Sequence, residues 1–209
     1  MPDPWIKHPT TLTGEIVDLL PLDKTHFEPL ATLARDRRIW AFYAVDGTDS
    51  AKLVDAYATG LAEREKGTQY PFVIFHKGAN AIIGSTRYLD LQPAHRKLEI
   101  GWTWLHPDYW ATAVNLECKL LLLTHCFETL KASRVQLKTD ENNVRSRKAI
   151  EKIGGQFEGV LRNDMIRDNQ TKRNSAYYGL IEEEWPDLKP KLTALYEAKK
   201  QTLRAHPAQ

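Results

Sequence analysis

The sequence predicts a single α+β domain, built on a mixed, mostly antiparallel twisted sheet flanked by helices. Three observations predict it. Runs rich in β-branched and aromatic residues alternate with runs of helical period along the whole chain. No internal repeat or linker divides it. Its 209 residues suffice for one domain that buries roughly 70% of the surface its unfolded chain exposes.

Residues 1–13 read as an N-terminal extension. EIVDLLPL (15–22) is a first strand that ends in a proline, and DKTHFEPLATLARD (23–36) a helix, with Asp23 suited to cap its first turn. RRIWAFYAVDGT (37–48) is an aromatic loop. DSAKLVDAYATGLAEREKG (49–67) is a second helix, from Asp49 to Gly67, with Leu53, Ala56, Tyr57 and Leu61 on one face. QYPFVIFHKG (69–78) and ANAIIGSTRYLDL (79–91) form a hairpin turning at residues 77–80, and KLEIGWTWL (97–105) alternates as a third adjacent strand. VNLECKLLLLTHCFETLK (114–131) is apolar around most of its circumference, as a helix packed on a sheet should be. SRVQLKTD (133–140) is a strand, and NNVRSRKAIEKIGG (142–155) a helix with a glycine stop. GQFEGVLRNDMIRD (155–168) and RNSAYYGLIEEEW (173–185) close the fold as an antiparallel pair, and residues 186–209 form a helix and a polar tail.

Composition excludes several classes of function. The 29 basic and 27 acidic residues nearly cancel to a net charge of +2, so the chain lacks the basic field that grips nucleic acid. Apolar runs such as Leu120 to Leu123 are too short to span a bilayer, and no signal peptide is evident, which predicts a cytoplasmic protein. The two cysteines, Cys118 and Cys126, lie eight residues apart on one predicted helix, where they cannot join, and are read as buried free thiols. The seven histidines are scattered without ligand spacing, so no metal is expected.

Four stretches stand in a telling order: IIGSTRYLDL (82–91), LEIGWTWLHPDYW (98–110), NNVRSRKAIEKIGG (142–155) and EEEW (182–185). Together with the order of elements, they make nearly the whole chain resemble the GNAT superfamily of N-acetyltransferases. Within it, the chain resembles the branch that includes the bacterial ribosomal-protein N-terminal acetyltransferases. The resemblance implies a sheet with splayed central strands, acetyl-CoA as cosubstrate, and a primary amine as acceptor, either a small molecule or a protein N-terminus. A homodimer is the superfamily's common habit.

WATAVN (110–115) occupies the place of the family's pyrophosphate loop, commonly Gln or Arg, two residues, Gly, one residue, then Gly or Ala. Trp110 stands at the polar position, Ala111 and Ala113 at small or glycine positions, and Asn115 last, with Thr112 and Val114 between. Backbone N–H groups at a helix N-terminus must converge there on a diphosphate. Alanine adds only a methyl group, so the cradle is expected to survive where the local φ angles are negative.

The resemblance implies further roles. Trp104, Leu105 and His106 pair with the pantetheine arm as an added strand would, and the Leu105 N–H polarises the thioester carbonyl. The side chains of Trp102 and Trp104 read equally well as core, and His106 as a strand-end residue. Asn143 bonds the pantetheine amides, with helix capping as its other reading, and Ser146 points toward the thioester. Arg145, Arg147 and Lys148 lie within reach of CoA phosphates, and read equally well as a solvated helix face. Ile150 stands where many members carry an acidic tyrosine, which leaves Ser146 or water to protonate the leaving thiolate. Glu99 is the candidate base, with a cross-strand partnership to Lys97 or Arg87 as its other reading, and Asp164 is the rival base. Trp40, Phe42, Tyr43, Arg87 and Tyr177 are placed around the acceptor, with core packing as the other reading of the aromatics. A CoA-binding or interaction module with decayed catalysis is the competing function.

Overall fold

The computed structural model describes residues 4–205; residues 1–3 and 206–209, the end of the expected polar tail, lie outside it. Eight strands form one sheet: β1 (Leu12–Thr13), β2 (Val17–Pro21), β3 (Tyr70–His76), β4 (Ala81–Gln92), β5 (Lys97–Leu105), β6 (Arg134–Asp140), β7 (Gln156–Ile166) and β8 (Lys172–Ile181). Their spatial order is β1-β2-β3-β4-β5-β6-β8-β7. Every neighbouring pair is antiparallel except β5 and β6. The α-helices are α1 (Phe27–Leu33), α2 (Ser50–Glu65), α3 (Val114–Thr124), α4 (Val144–Lys152) and α5 (Trp185–Ala205).

The local signals act where they were read. Asp23 accepts from the Thr25 amide to cap the short turn that leads into α1, and Asp49 accepts from the Ala51 and Lys52 amides to start α2. Gly154, at φ +93°, stops α4. One element was not legible: β1, only two residues long, lies in the stretch read as an extension and pairs Leu12 with Leu19. The chain beside it is fastened by Glu117 of α3. This carboxylate is buried, and it accepts from the amides of Glu15 (2.6 Å), Ile16 (2.9 Å) and Val17 (2.8 Å) and from the Tyr196 hydroxyl (2.8 Å). Four donors offset the cost of taking a charge out of water.

The sheet carries a core on each face. Leu19, Phe72, Ile74, Tyr88 and Ile100 pack with α3 and α5 residues such as Leu122, Leu123, Leu192 and Tyr196. Val73 and Trp104 pack on the other face with Leu22, Leu30, Leu53, Tyr57 and Trp40. Cys118 and Cys126 are buried free thiols, and burial pushes both up to about 12.

The central strands splay. β5 and β6 pair only at Lys97–Arg134, Leu98–Val135 and Glu99–Gln136. Beyond that rung β5 continues to Leu105 and β6 to Asp140 without bonding each other. The register between β4 and β5 shifts between Ser85 and Arg87, where β5 carries one extra residue and Trp102 takes φ +52°. A bulge adds twist to its strand, and here it turns β5 away from β6. Because the two strands are parallel, their ends lie at the same edge of the sheet. The chain leaves β5 into α3 and β6 into α4, so both helices start at the open end of the gap.

Candidate active site

The β5 edge of the gap is built by backbone alternation. The His106 amide donates to the Ile83 carbonyl at 2.8 Å, across to β4. The N–H and C=O of Leu105, one residue earlier, therefore face the gap. Two aromatic side chains reach this strand: Trp110 Nε1 donates to the Leu105 carbonyl at 2.9 Å, and the Tyr43 hydroxyl to the Thr103 carbonyl at 2.6 Å. The Trp104 side chain faces away, donating to the Tyr57 hydroxyl at 3.0 Å within the core. His106 is a strand-end residue that accepts from the Asp108 amide.

At the open end, the Thr112 hydroxyl accepts from the Val114 amide at 3.3 Å. The first turn of α3 leaves the Asn115 and Leu116 N–H groups without intrahelical acceptors. These are the donors an anion would meet. Ala113 has φ −74°, but Ala111 has φ +57°, in the left-handed region. The condition of negative φ is therefore met at Ala113 and not at Ala111, where the loop needs the turn that glycine makes without strain.

The α4 residues divide. The Asn143 side-chain oxygen caps its own helix by accepting from the Ser146 amide at 3.0 Å, and Ser146 lies in the first turn. Arg147 does not reach the loop: its Nε donates to the Tyr178 hydroxyl at 2.9 Å and its Nη1 to the Glu141 carbonyl. Arg145 takes that place, its guanidinium 3.8 Å from the centre of the Trp110 ring, with Arg38 6.0 Å from the same ring. Ile150 is buried in the core.

At the closed end of the gap, on the face that carries α1 and α2, lies Glu99. It is 5% exposed and accepts from Gln136 Nε2 at 2.9 Å. Lys138 Nζ is 3.6 Å from Glu99 Oε2 and 4.0 Å from Asp164 Oδ2, and the Tyr177 hydroxyl donates to Asp164 at 3.0 Å. Burial pushes the Glu99 carboxyl above its ordinary value, against the pull of Lys138 and Gln136. Burial draws Lys138 down, but Glu99, Tyr177 and Asp164 together hold it above its ordinary value. The pair therefore combines a more basic carboxylate with a firmly charged ammonium.

The expected acceptor residues are only partly brought together. Tyr43 and Tyr177 border this face, and Tyr178, on the opposite side of β8, is core. Trp40 fits its core reading: it is buried, donates to the Ala34 carbonyl at 2.7 Å and packs against Trp104, behind this face. The loop that follows it is latched to the β7–β8 connection. The Asp168 amide donates to the Ala44 carbonyl, while its carboxylate accepts from the Asp46 amide and pairs with Lys52 at 2.9 Å. Gln136 and Lys138 escaped the sequence reading because alternating polar residues on a strand read as a solvent face. Only their pairing beside Glu99 reveals them.

This arrangement has relatives. Residues 17–156 match the model of the acetyltransferase (GNAT) domain. The chain belongs to the GNAT acetyltransferase family. It is 30% identical over 105 residues to the Bacillus subtilis protein named "Putative ribosomal N-acetyltransferase YdaF", a match that covers 50% of this chain and 56% of that protein. The chain thus spans little more than half the length of that relative. A solved acetyltransferase-named structure from T. thermophilus is 31% identical, covers 91% of this chain and is itself covered to 98%, with a TM-score of 0.80. The structure of Mycobacterium smegmatis RimJ in complex with CoA-disulfide, 19% identical, shares the fold over 88% of this chain and 91% of its own length, with a TM-score of 0.73. No helix among the described residues is long and apolar enough to cross a membrane.

Proposed function

We propose that the protein transfers the acetyl group of acetyl-CoA to a primary amine, by direct attack in a ternary complex. The acceptor is an α-amine, of a protein N-terminus or of a small molecule. The observation that carries this reading is a buried carboxylate, Glu99, held at the point where β5 and β6 part. Pantetheine runs along the gap edge of β5, beside Leu105. The diphosphate meets the Asn115 and Leu116 amides, with Arg145 beside the loop. The amine enters from the face that carries α1 and α2.

Glu99 accepts the proton that the amine loses on attack. An α-amine with pKa about 8 is roughly 10% neutral at pH 7, whereas lysine with pKa about 10.4 is roughly 0.04% neutral. A single buried carboxylate therefore suits an α-amine better. The Leu105 N–H stabilises the oxyanion of the tetrahedral intermediate, and Ser146 or water returns a proton to the CoA thiolate. Neither cysteine belongs to this site, and both thiols are held neutral by burial.

Initial-rate measurements of thiol release, with acetyl-CoA and amine both varied, test the reading. Intersecting lines are expected, and parallel lines or an acetylated enzyme residue would overturn direct transfer. In Glu99→Gln, kcat falls by about 10² to 10⁴ while the acetyl-CoA Kd stays within about twofold. Binding of CoA without thiol release for any amine would instead identify a module whose catalysis has decayed.

A further inference from the structure

Arg87 carries a charge that the reaction above does not use. Its guanidinium lies beneath α2 on the acceptor face of the sheet, 3% exposed. Nη1 donates to Gln69 at 3.2 Å, the Trp102 ring lies 4.4 Å away, and the Tyr57 ring 5.8 Å away. Nη2 is buried with no hydrogen-bond partner. Among the described residues no carboxylate reaches this guanidinium. Of the other cations of the region, Lys138 lies against Glu99 and Asp164, and Arg167 pairs with Asp140; Arg173 lies 3.9 Å from the same Asp140 carboxylate, with its Nε also buried and without a hydrogen-bond partner. Arginine keeps its proton even here, so an unmatched buried guanidinium calls for an anion supplied from outside.

Glycines border Arg87 on two sides. On α2, Gly60 stands where an added Cβ would lie 3.0 Å from Nη1. Gly101 is opposite Arg87 in the β4–β5 register, and Glu99 is two residues further along β5 on the same face. Diagonal neighbours of this kind lie about 7–8 Å apart. Gly101 brings no side chain of its own between them; a Cβ there would lie 2.6 Å from Leu89 Cδ1 and 3.0 Å from Glu99 Oε1, so the end of the Leu89 side chain is what an entering group displaces. Glu99 turns to Gln136 and Lys138, and Arg87 turns to Gln69 and Trp102, so the two charges are not spent on each other.

We propose that the acetyl acceptor carries a carboxylate within a few bonds of its amine, which Arg87 receives while Glu99 receives the amine. This rests on the acetyl-transfer reading and narrows it to one class of acceptor. Two sources share the chemistry: the α-carboxylate of a free amino acid, and the side-chain carboxylate of an acidic residue at a peptide N-terminus. A bidentate guanidinium–carboxylate pair in a buried site is strong, and it discriminates against a neutral isostere because the amide leaves the cation unmatched.

The test compares matched acceptors by thiol release: free amino acids against their α-amides, and peptides that begin with Asp against peptides that begin with Asn. In at least one pair the carboxylate member is expected to have kcat/KM about tenfold or more higher, mainly through KM. Which pair shows the effect identifies the source. In Arg87→Gln the ratio within that pair falls toward one, and Arg87→Lys, which keeps the charge but loses the fork, restores only part of it. Thermal melting reports whether each variant folds. If Arg87→Gln does not fold, the wild-type ratios decide alone. Equal kcat/KM within both pairs overturns the proposal while leaving acetyl transfer intact. No turnover of any amine overturns acetyl transfer itself. Calorimetry of the same pairs with CoA present then reads the Arg87 site separately: tighter binding of the carboxylate member supports the proposal, and equal binding overturns it.

Discussion

Lys138 Nζ lies 3.6 Å from Glu99 Oε2, just past the last rung that joins β5 to β6. The pair exists because two parallel strands stop bonding there, so a side chain on each can turn into the opening. Lys138 is among the groups that hold the Glu99 carboxyl down, while burial pushes it up further than they do. As a base Glu99 must be ionised, so the rate falls with falling pH through its raised value. In Lys138→Met that restraint is lost, and the acid limb of kcat/KM against pH moves to higher pH. A limb that stays in place or moves down would remove Glu99 from the role of base.

Lys119 of α3 is a buried ammonium, 6% exposed, and donates to the Thr103 hydroxyl at 3.0 Å. Burial lowers its pKa from 10.5 to about 8. Between those values the unfolded chain holds more protons at this residue than the folded one, so its contribution to stability rises with pH across that window. At pH 7 the charged, buried form costs on the order of 3 kcal/mol. Lys119→Met should therefore be more stable than wild type at pH 7 in urea unfolding, by about 1–3 kcal/mol after the lost Thr103 hydrogen bond is allowed for. The difference should shrink toward pH 10. A variant less stable at pH 7 would refute this account.

Ala111, at φ +57°, carries the strain that glycine avoids. Ala111→Gly removes it and adds unfolded-state entropy, for a net gain of roughly 0.5–1 kcal/mol in chemical denaturation. If the loop cradles the diphosphate, CoA affinity is unchanged or improved, because the backbone N–H groups remain. A loss of stability would show that the methyl group packs usefully.

The Asp168 latch joins the loop after Trp40 to the β7–β8 connection. Asp168→Asn cancels the ion pair with Lys52 and weakens the bond from the Asp46 amide. Since these segments border the acceptor face, the acceptor KM rises about 3- to 30-fold while the acetyl-CoA Kd holds. Weaker acetyl-CoA binding would place the latch elsewhere in the cycle.

Much of this molecule was legible before folding. Each long strand and helix was readable because its signal is local: Asp49 beside the first turn of α2, Gly154 after the last turn of α4, and alternation through KLEIGWTWL. Glu99 stood out as a candidate for the same reason, in a stretch that resembles a family motif. For Trp40 and Arg147 two readings stayed open in the sequence, because an aromatic or a guanidinium reads alike whether it lines a cleft or packs behind one. The partners that folding gives them are the Ala34 carbonyl and the Tyr178 hydroxyl.

Element order, the single domain, the family resemblance and the candidate base could all be read from the chain alone, since periodicity, caps and motifs act within a few residues. Which charges meet is settled by the fold. Glu99 and Lys138 are 39 positions apart and come together through a parallel pairing that fails after three rungs. Arg87 and Glu99 share a face but turn to different partners. A buried charge is costly or useful according to the groups beside it, and these are chosen by strand pairing over long stretches of chain rather than by neighbours in sequence.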